Sequence, residues 1–317
     1  MDLSVVVSIY NEEEGIGHFF DVLEDELNKL PYIYEVLMIN DGSHDNTLSE
    51  LKKLSERNEH VRIISFSRNF GHEAAMLAGI DNSRGKAIIC MDSDLQHPPA
   101  KIAEMMKMWE KGAEVVTMVR SERKDDKGLH KWLSRSFYRL VNRLSDIKID
   151  ENASDFFLIS DKVGDLLRKD YRERSRFLRG IVQSVGFRRE KVEYVAEERK
   201  TGKSHYSFRK LVKLSLLAIS SFSKVPLQIG IIVGLLFVLL SIVLLIYSLV
   251  MYFCQRPTSG YTTLIVFLSL FSGIQLMIVG VIGEYIGYIY DEVKGRPIYI
   301  IDKIYESQSK EQDDNKN

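Results

Sequence analysis

The sequence predicts a mostly parallel α/β sheet, followed by a helix lying in a membrane surface and a two-helix hairpin crossing that membrane. Three observations carry this expectation. Strand-like apolar runs alternate with helix-like runs through the first hundred residues. Each of these strand-like runs ends in a polar cluster. Two later stretches, 227–253 and 261–283, contain no charged side chain. Strand, helix, strand with short connections implies a parallel sheet covered on both faces.

Taken in order, "SVVVSIY" (4–10) reads as the first strand. Residues 15–30 follow as an amphipathic helix, with Ile16, Phe19, Phe20, Leu23 and Leu27 at helical spacing. "YEVLMIN" (34–40) is the second strand. A helix through Leu48, Leu51 and Leu54 follows, capped near Ser43 or Asp45. "VRIISFS" (61–67), a helix near 72–83 and "AIICMD" (87–92) continue the alternation, and "AEVVTMV" (113–119) is a further strand-like run ending at Arg120.

The two uncharged stretches each exceed the roughly 20 apolar residues that span a bilayer. Their connector, "CQRPTSG", is short, so both flanks fall on one side of the membrane. Arg209, Lys210, Lys213 and Lys224 precede the hairpin and Lys294, Arg296 and Lys303 follow it, against Arg256 in the connector. The positive-inside rule therefore puts both ends in the cytoplasm of a cell inner or plasma membrane protein. Between sheet and hairpin, "YSFRKLVKLSLLAISSFSKV" (206–225) mixes basic and apolar residues as an interfacial amphipathic helix does. Four units result: 1–205, 206–225, 226–290 and 291–317, the last with a disordered polar end. Gly230, Gly234, Gly273 and Gly280 give the spans small faces that can pack against other copies in a homo-oligomer. Glu284, at the end of the second span, and Asp291 and Glu292 just beyond it are expected at the membrane surface.

Charge is nearly balanced, with 43 Lys and Arg against 44 Asp and Glu, which argues against chain-wide attraction to nucleic acid. Two cysteines, Cys90 and Cys254, lie in unlike segments and fit neither a disulfide framework nor a zinc site. The first residues read directly as a strand rather than as a signal peptide.

The polar clusters are "YNEEEG" (10–15), "NDGSHDNT" (40–47), "SRNFGHE" (67–73) and "DSDLQHPP" (92–99). One such cluster is ordinary turn chemistry. Four at equivalent places describe the carboxyl rim of a sheet, where ligands bind in such folds. Asp92 and Asp94, one residue apart at a strand end, point the same way and repel unless a cation sits between them. Oxygen ligands suit Mg²⁺ or Mn²⁺, with substrate phosphates completing the shell and the Gln96 amide oxygen adding to it. The pair thus predicts a metal–diphosphate site.

"VVVSIYNEEEGI", "VLMINDGSHDNT" and "CMDSDLQHP" together resemble the inverting family 2 glycosyltransferases, whose nucleotide-sugar domain is of the GT-A (Rossmann-like) type. "RFLRGIVQSVGFRREKVEYVAEERKTGKSHYSFRKLVKL" and "GEYIGYIYDEVKGRPIYII" resemble the polyprenyl-phosphate branch, the bactoprenol glucosyltransferases related to dolichol-phosphate mannose synthase. The likeness covers residues 3–305. It implies a UDP-sugar donor and an undecaprenyl-type phosphate acceptor at the membrane, with one sugar transferred on the cytoplasmic leaflet. Tyr10, Asn11 and Glu12 would border the uridine and ribose, and Asp41 the uracil, with Gly42 and Gly71 beside them. Asn40 stands where the wider superfamily often has Asp. Asp92, Asp94 and Gln96 would hold metal and diphosphate. Asp155, in "NASDFFLIS", matches the family's acidic residue near the acceptor and would orient the acceptor first and act as a base second. Arg120 would face the site from its strand end. Arg199, with Lys203 and Ser204, would meet the acceptor phosphate, and His205 replaces a Lys that the family often carries. "RFLRG" (176–180) stands where processive synthases carry Gln-x-x-Arg-Trp, which argues against a polymer-extruding enzyme. Two other functions stay open from sequence: transfer to a lipid hydroxyl such as diacylglycerol, and a non-catalytic membrane scaffold.

Overall fold

The computed structural model describes residues 1–120, 150, 153–174, 177–194, 225–253 and 260–306. The expected alternation is present. It runs β1 (Leu3–Ile9), α1 (Ile16–Leu27), β2 (Tyr34–Asn40), α2 (Thr47–Arg57), β3 (Val61–Phe66), α3 (His72–Asn82), β4 (Ala87–Asp92), a 3₁₀ turn (Pro99–Lys101) and α4 (Ile102–Glu110). There follow β5 (Val115–Arg120), β6 (Ala153–Ser160), α5 (Asp161–Lys169), α6 (Leu178–Ser184) and β7 (Arg189–Tyr194). Two long helices, α7 (Val225–Phe253) and α8 (Tyr261–Val293), and a last strand, β8 (Ile301–Tyr305), complete the described residues.

Eight described strands form one sheet in the order β7-β5-β6-β4-β1-β2-β3-β8. β1 to β4, β5 and β7 share one direction, and β6 and β8 run against them. Alternate residues divide the core into two layers, as the two-residue period of a strand requires. Leu3, Val5, Val7 and Ile9 join α1, α2 and α4 on one face. Val6, Ile88, Cys90, Phe157 and Ile159 join α3, α5 and α6 on the other. All seven residues of β1 and of β2 are buried, which is why these runs read as continuously apolar rather than alternating.

Close approach fixes where α3 lies. A Cβ on Gly79 would stand 2.0 Å from Val6 Cγ1, so only glycine lets this helix settle onto β1. The start of α3 is thereby held over the carboxyl ends of β1 and β4. Gly42 plays the same part between loops: it has a φ of 62°, and its Cβ would lie 2.3 Å from the Arg68 carbonyl carbon.

Three features depart from expectation. Helix α2 starts at Thr47, and Asp45 accepts the Thr47 N–H at 3.0 Å from one residue further out than a cap. Helix α8 runs on to Val293, because charges at 284, 291 and 292 do not break helical hydrogen bonding. β8, unassigned from sequence, adds antiparallel to β3 at the sheet edge. The segment leading to it is fastened to the sheet domain. Tyr299 stacks on Phe66 (centroids 5.2 Å apart) and donates to Asp81 at 2.6 Å, where Arg172 also donates at 2.7 Å. Burial and the Asp81 carboxylate push the Tyr299 phenol above its usual range. Arg174 donates to the Glu292 carbonyl at 3.0 Å, at the end of α8.

Leu227–Tyr247 and Val266–Val293 are long and apolar enough to cross a membrane, and neither is buried against the rest of the protein. Ile231, Leu235, Leu264 and Leu276 are each more than half exposed, an arrangement suited to lipid rather than water. Phe237 and Phe271 pack edge to face at 4.7 Å between the helices. Gly230 lies against Ile278 of the same hairpin, whereas Gly234, Gly273 and Gly280 border open space. Residues 206–224, read as the interfacial helix, lie outside the described residues.

Candidate active site

Strand register assembles the site. Ser8 and Asp92 are direct partners in the parallel pair β1–β4. In the antiparallel pair β4–β6, Ile88 faces Ile159 and Cys90 faces Phe157. Two residues further, that register sets Asp92 against Asp155. Ser8, Asp92 and Asp155 have the parity of Val6, Cys90 and Phe157, so they face the α3 side of the sheet. His72, the first residue of α3, lies over all three. Ser8 Oγ is 2.7 Å from His72 Nδ1. His72 Nε2 is 3.4 Å from Asp92 Oδ1 and 3.9 Å from Asp155 Oδ2.

The loop after β4 turns back on itself, with Leu95 at φ 57°. His97 is buried there and stacks on Phe156 at 5.2 Å. Its Nδ1 accepts the Asp92 backbone N–H at 3.0 Å, which leaves the ring proton on Nε2. Burial holds this imidazole below its usual pKa, against the pull of Asp92 and Asp94. Asp94 Oδ1 accepts the Gln96 N–H at 3.1 Å. Gln96 Oε1 accepts from Arg120 Nη2 at 3.1 Å, so this oxygen is turned to a guanidinium. On the far side, Arg179 Nε lies 3.2 Å from Asp155 Oδ1, and its Nη1 donates to the Ala153 carbonyl.

A cavity of about 360 Å³ opens beside these groups. Tyr10, Glu12, Asp41, Gly71, Asp92 and Asp94 line it, together with Ser8 and His72. The Asp41 carboxylate spans the loop before α3, taking the Phe70 N–H at 2.7 Å on one oxygen and the Gly71 N–H at 2.9 Å on the other. Asn11, at φ 53°, ties the first rim loop to the second: its N–H donates to Ser43 Oγ and its Oδ1 accepts from the His44 N–H. Of the residues expected in the site, Arg199, Lys203 and Ser204 lie outside the described residues.

A family model, glycosyl transferase family 2, matches residues 4–166, which hold β1 to β6 with Asp41, Asp92, Asp94 and Asp155. The chain is 42% identical over 312 residues to an uncharacterized glycosyltransferase, YkcC, of Bacillus subtilis (strain 168), covering 97% of this chain and 95% of that one. The chain belongs to glycosyl transferase family 2. It is also 40% identical over 307 residues to the SfII prophage-derived bactoprenol glucosyl transferase of Shigella flexneri, with 96% and 98% covered. Among solved structures, glucosyl-3-phosphoglycerate synthase from Mycobacterium tuberculosis aligns over 69% of this chain and 77% of its own at 16% identity, with a TM-score of 0.45.

Sequence reading passed over several residues of this family 2 transferase's rim. Ser8, His72, Glu73, His97 and Arg179 all stood in quoted stretches without a role. Strand parity was the available signal for Ser8. His72 and Arg179 needed the packing of α3 and α6.

Glu73 is the most perturbed of them. Burial, then the Asp155 carboxylate, pushes its pKa up to about 7, while the Leu178 N–H, donating at 2.6 Å, pulls the other way. A carboxyl raised in the folded state costs nothing below its unfolded pKa. Its penalty grows as pH rises from about 4.5 to about 7 and is complete above that. Glu73→Gln keeps an acceptor for Leu178 and removes the ionisation. It is expected to raise stability by about 1–3 kcal/mol at pH 8 and to leave it unchanged near pH 4. Melting temperatures of wild type and variant across that range check this; parallel curves at every pH contradict it.

Proposed function

We propose that this transferase moves one sugar from a UDP-sugar to a polyprenyl phosphate at the cytoplasmic face of a membrane, with inversion at the anomeric carbon. One juxtaposition carries the reading. Asp92 and Asp94 line a cavity large enough for part of a nucleotide-sugar, and Asp155 with Arg179 stands directly across the sheet rim. The name of the Shigella flexneri relative, a bactoprenol glucosyl transferase, supports the lipid acceptor and makes UDP-glucose the first donor to try.

The residues present fit a divalent ion. Among the described residues no three His, Cys, Asp or Glu side chains gather into a metal cage. Two carboxylates at a cavity mouth are the donor set of a Mg²⁺ or Mn²⁺ site completed by substrate phosphates. Asp92 and Asp94 would hold the ion, and Gln96 would stay with Arg120. When bound, the ion neutralises charge on the leaving UDP. Tyr10, Asn11, Glu12, Asp41, Gly42 and Gly71 would form the nucleotide side, with Asp41 acting by shaping the loop of Phe70 and Gly71.

A phosphate monoester carries a charge between about −1.5 and −2 at neutral pH. It attacks without first losing a proton, so Asp155 orients rather than deprotonates, and Arg120, Arg199, Lys203 and Ser204 supply charge and hydrogen bonds to the incoming phosphate. The acceptor's headgroup lies at the membrane surface, where the 206–225 helix would hold the domain. Two crossings would bring the chain back to the side it left, a reading that the pairing of β8 with β3 supports.

The test measures UDP release by the detergent-solubilised full chain with polyprenyl phosphate, polyprenol or diacylglycerol as acceptor. Turnover is expected with the phosphate alone. Asp155→Asn is expected to lower kcat by about 10–100-fold with measurable activity remaining, since only orientation is lost. Turnover with a hydroxyl lipid that Asp155→Asn abolishes would instead identify a base-catalysed transferase. Nucleotide binding without turnover on any lipid would point to the scaffold.

A further inference from the structure

We propose that His72 is a positioning residue whose Nε2–H ties Asp92 to Asp155 and fixes the direction in which Asp92 meets a cation. The inference rests on the reading above and adds a residue to it. Ser8 Oγ is 2.7 Å from Nδ1, and two carboxylate oxygens lie 3.4 and 3.9 Å from Nε2. If Nδ1 carried the only proton, the Nε2 lone pair would face two anions. If Ser8 donates to Nδ1, Nε2–H faces them instead. Electrostatics select the second arrangement. Ser8 is thus the anchor, His72 the arm and Asp92 the load.

Three further contacts keep the arm from moving. Asp41 holds the Phe70 and Gly71 N–H groups just before the helix. Gly71, at φ 99°, sets the entry into α3. Gly79 against Val6 prevents the helix from sliding along β1. The ring is also poorly placed to be mere packing, since 39% of its side chain is exposed in the cavity. On its other oxygen Asp92 meets His97 Nδ1 at 3.5 Å. That nitrogen already accepts the Asp92 backbone N–H and offers the carboxylate no proton, so among these two rings the holding contact on the Asp92 side chain is the one from His72. Partners of this kind orient metal-binding carboxylates and are typically worth about 10–100-fold in metal affinity or activity.

The geometry specifies a pattern across variants. Glutamine can carry an amide N–H to about the position of Nε2. Asparagine reaches only as far as Nδ1, and alanine removes both contacts. Mn²⁺ binding to the detergent-solubilised full chain is measured by electron paramagnetic resonance in the presence of UDP, beside steady-state transfer. His72→Ala and His72→Asn are expected to weaken Mn²⁺ binding by about 10–100-fold. His72→Gln should stay near wild type, and all three should melt close to it. His72→Ala binding Mn²⁺ as wild type does, or His72→Gln failing as His72→Ala does, would overturn the assignment. So would wild-type protein that takes up no Mn²⁺ with UDP. Wild type that binds Mn²⁺ and UDP yet transfers nothing would defeat the functional reading, while the order of Mn²⁺ affinities would still decide the role of His72.

Discussion

Asp94→Ala is expected to lower transfer by on the order of a thousandfold, about 4 kcal/mol of transition-state stabilisation. The carboxylate lines the cavity beside Asp92, and its backbone contact is to the Gln96 N–H within the same turn. Removing it takes away half of the protein's oxygen set for a divalent ion. It leaves the sheet and its layers intact, because Asp94 lies beyond the end of β4. Melting temperature should therefore change little, and raising Mn²⁺ concentration should restore part of the rate. Asp94→Asn should fall between the two, since an amide oxygen can still ligate. Activity within tenfold of wild type in Asp94→Ala would remove Asp94 from the site.

Arg62→Ala is expected to cost about 3–5 kcal/mol of folding stability, the usual effect of stripping one partner from a buried ion pair. Arg62 and Glu35 side chains are 7% and 3% exposed and meet at 2.9 Å. Glu35 also takes the Ser4 hydroxyl at 2.6 Å and the Arg84 N–H at 2.7 Å, and Arg62 donates to the Asn82 carbonyl at 3.2 Å. These bonds join β1, β2, β3 and the end of α3 at the edge of the sheet opposite the site. Glu306, just past β8, closes the network with Arg62 at 3.2 Å and Arg84 at 3.1 Å. Without the guanidinium, Glu35 is a buried charge with hydrogen bonds and no counter-ion. A melting temperature about 10 °C or more below wild type is expected. The pair Glu35→Gln with Arg62→Met should lose much less, because no charge is then left buried. Arg62→Ala melting alongside wild type would show that water reaches Glu35.

What the sequence made legible follows from how local each signal is. β1 to β4 could be read because each is a run of apolar residues closed by a polar cluster. Of the helices between them, α1 and α2 show helical spacing within a dozen residues, whereas α3 is buried without a break from Ala74 to Ile80 and reads as a helix by length and composition. Both apolar helices were visible for the same reason. β8 was not visible. Ile301–Tyr305 is a short run with two charged residues, and its partner β3 lies far back in the chain on the other side of the hairpin. The reversal of β6 was hidden too, since strand direction depends on the path of the chain from Arg120 to Ala153. Asp92, Asp94 and Asp155 stood out by residue type and motif. His72 did not, because its part depends on a helix settling onto β1 through Gly79, and no single stretch of sequence records that.

The central claim is that the acceptor is a lipid phosphate. Mass spectrometry of the lipid recovered after incubation with UDP-glucose, Mn²⁺ and polyprenyl phosphate tests it most directly. The account predicts a polyprenyl phosphate heavier by one hexose, formed in step with UDP and missing from the Asp94→Ala reaction. Unchanged polyprenyl phosphate beside released UDP and free glucose, or a hexose joined to a hydroxyl lipid in the same membrane extract, would contradict it.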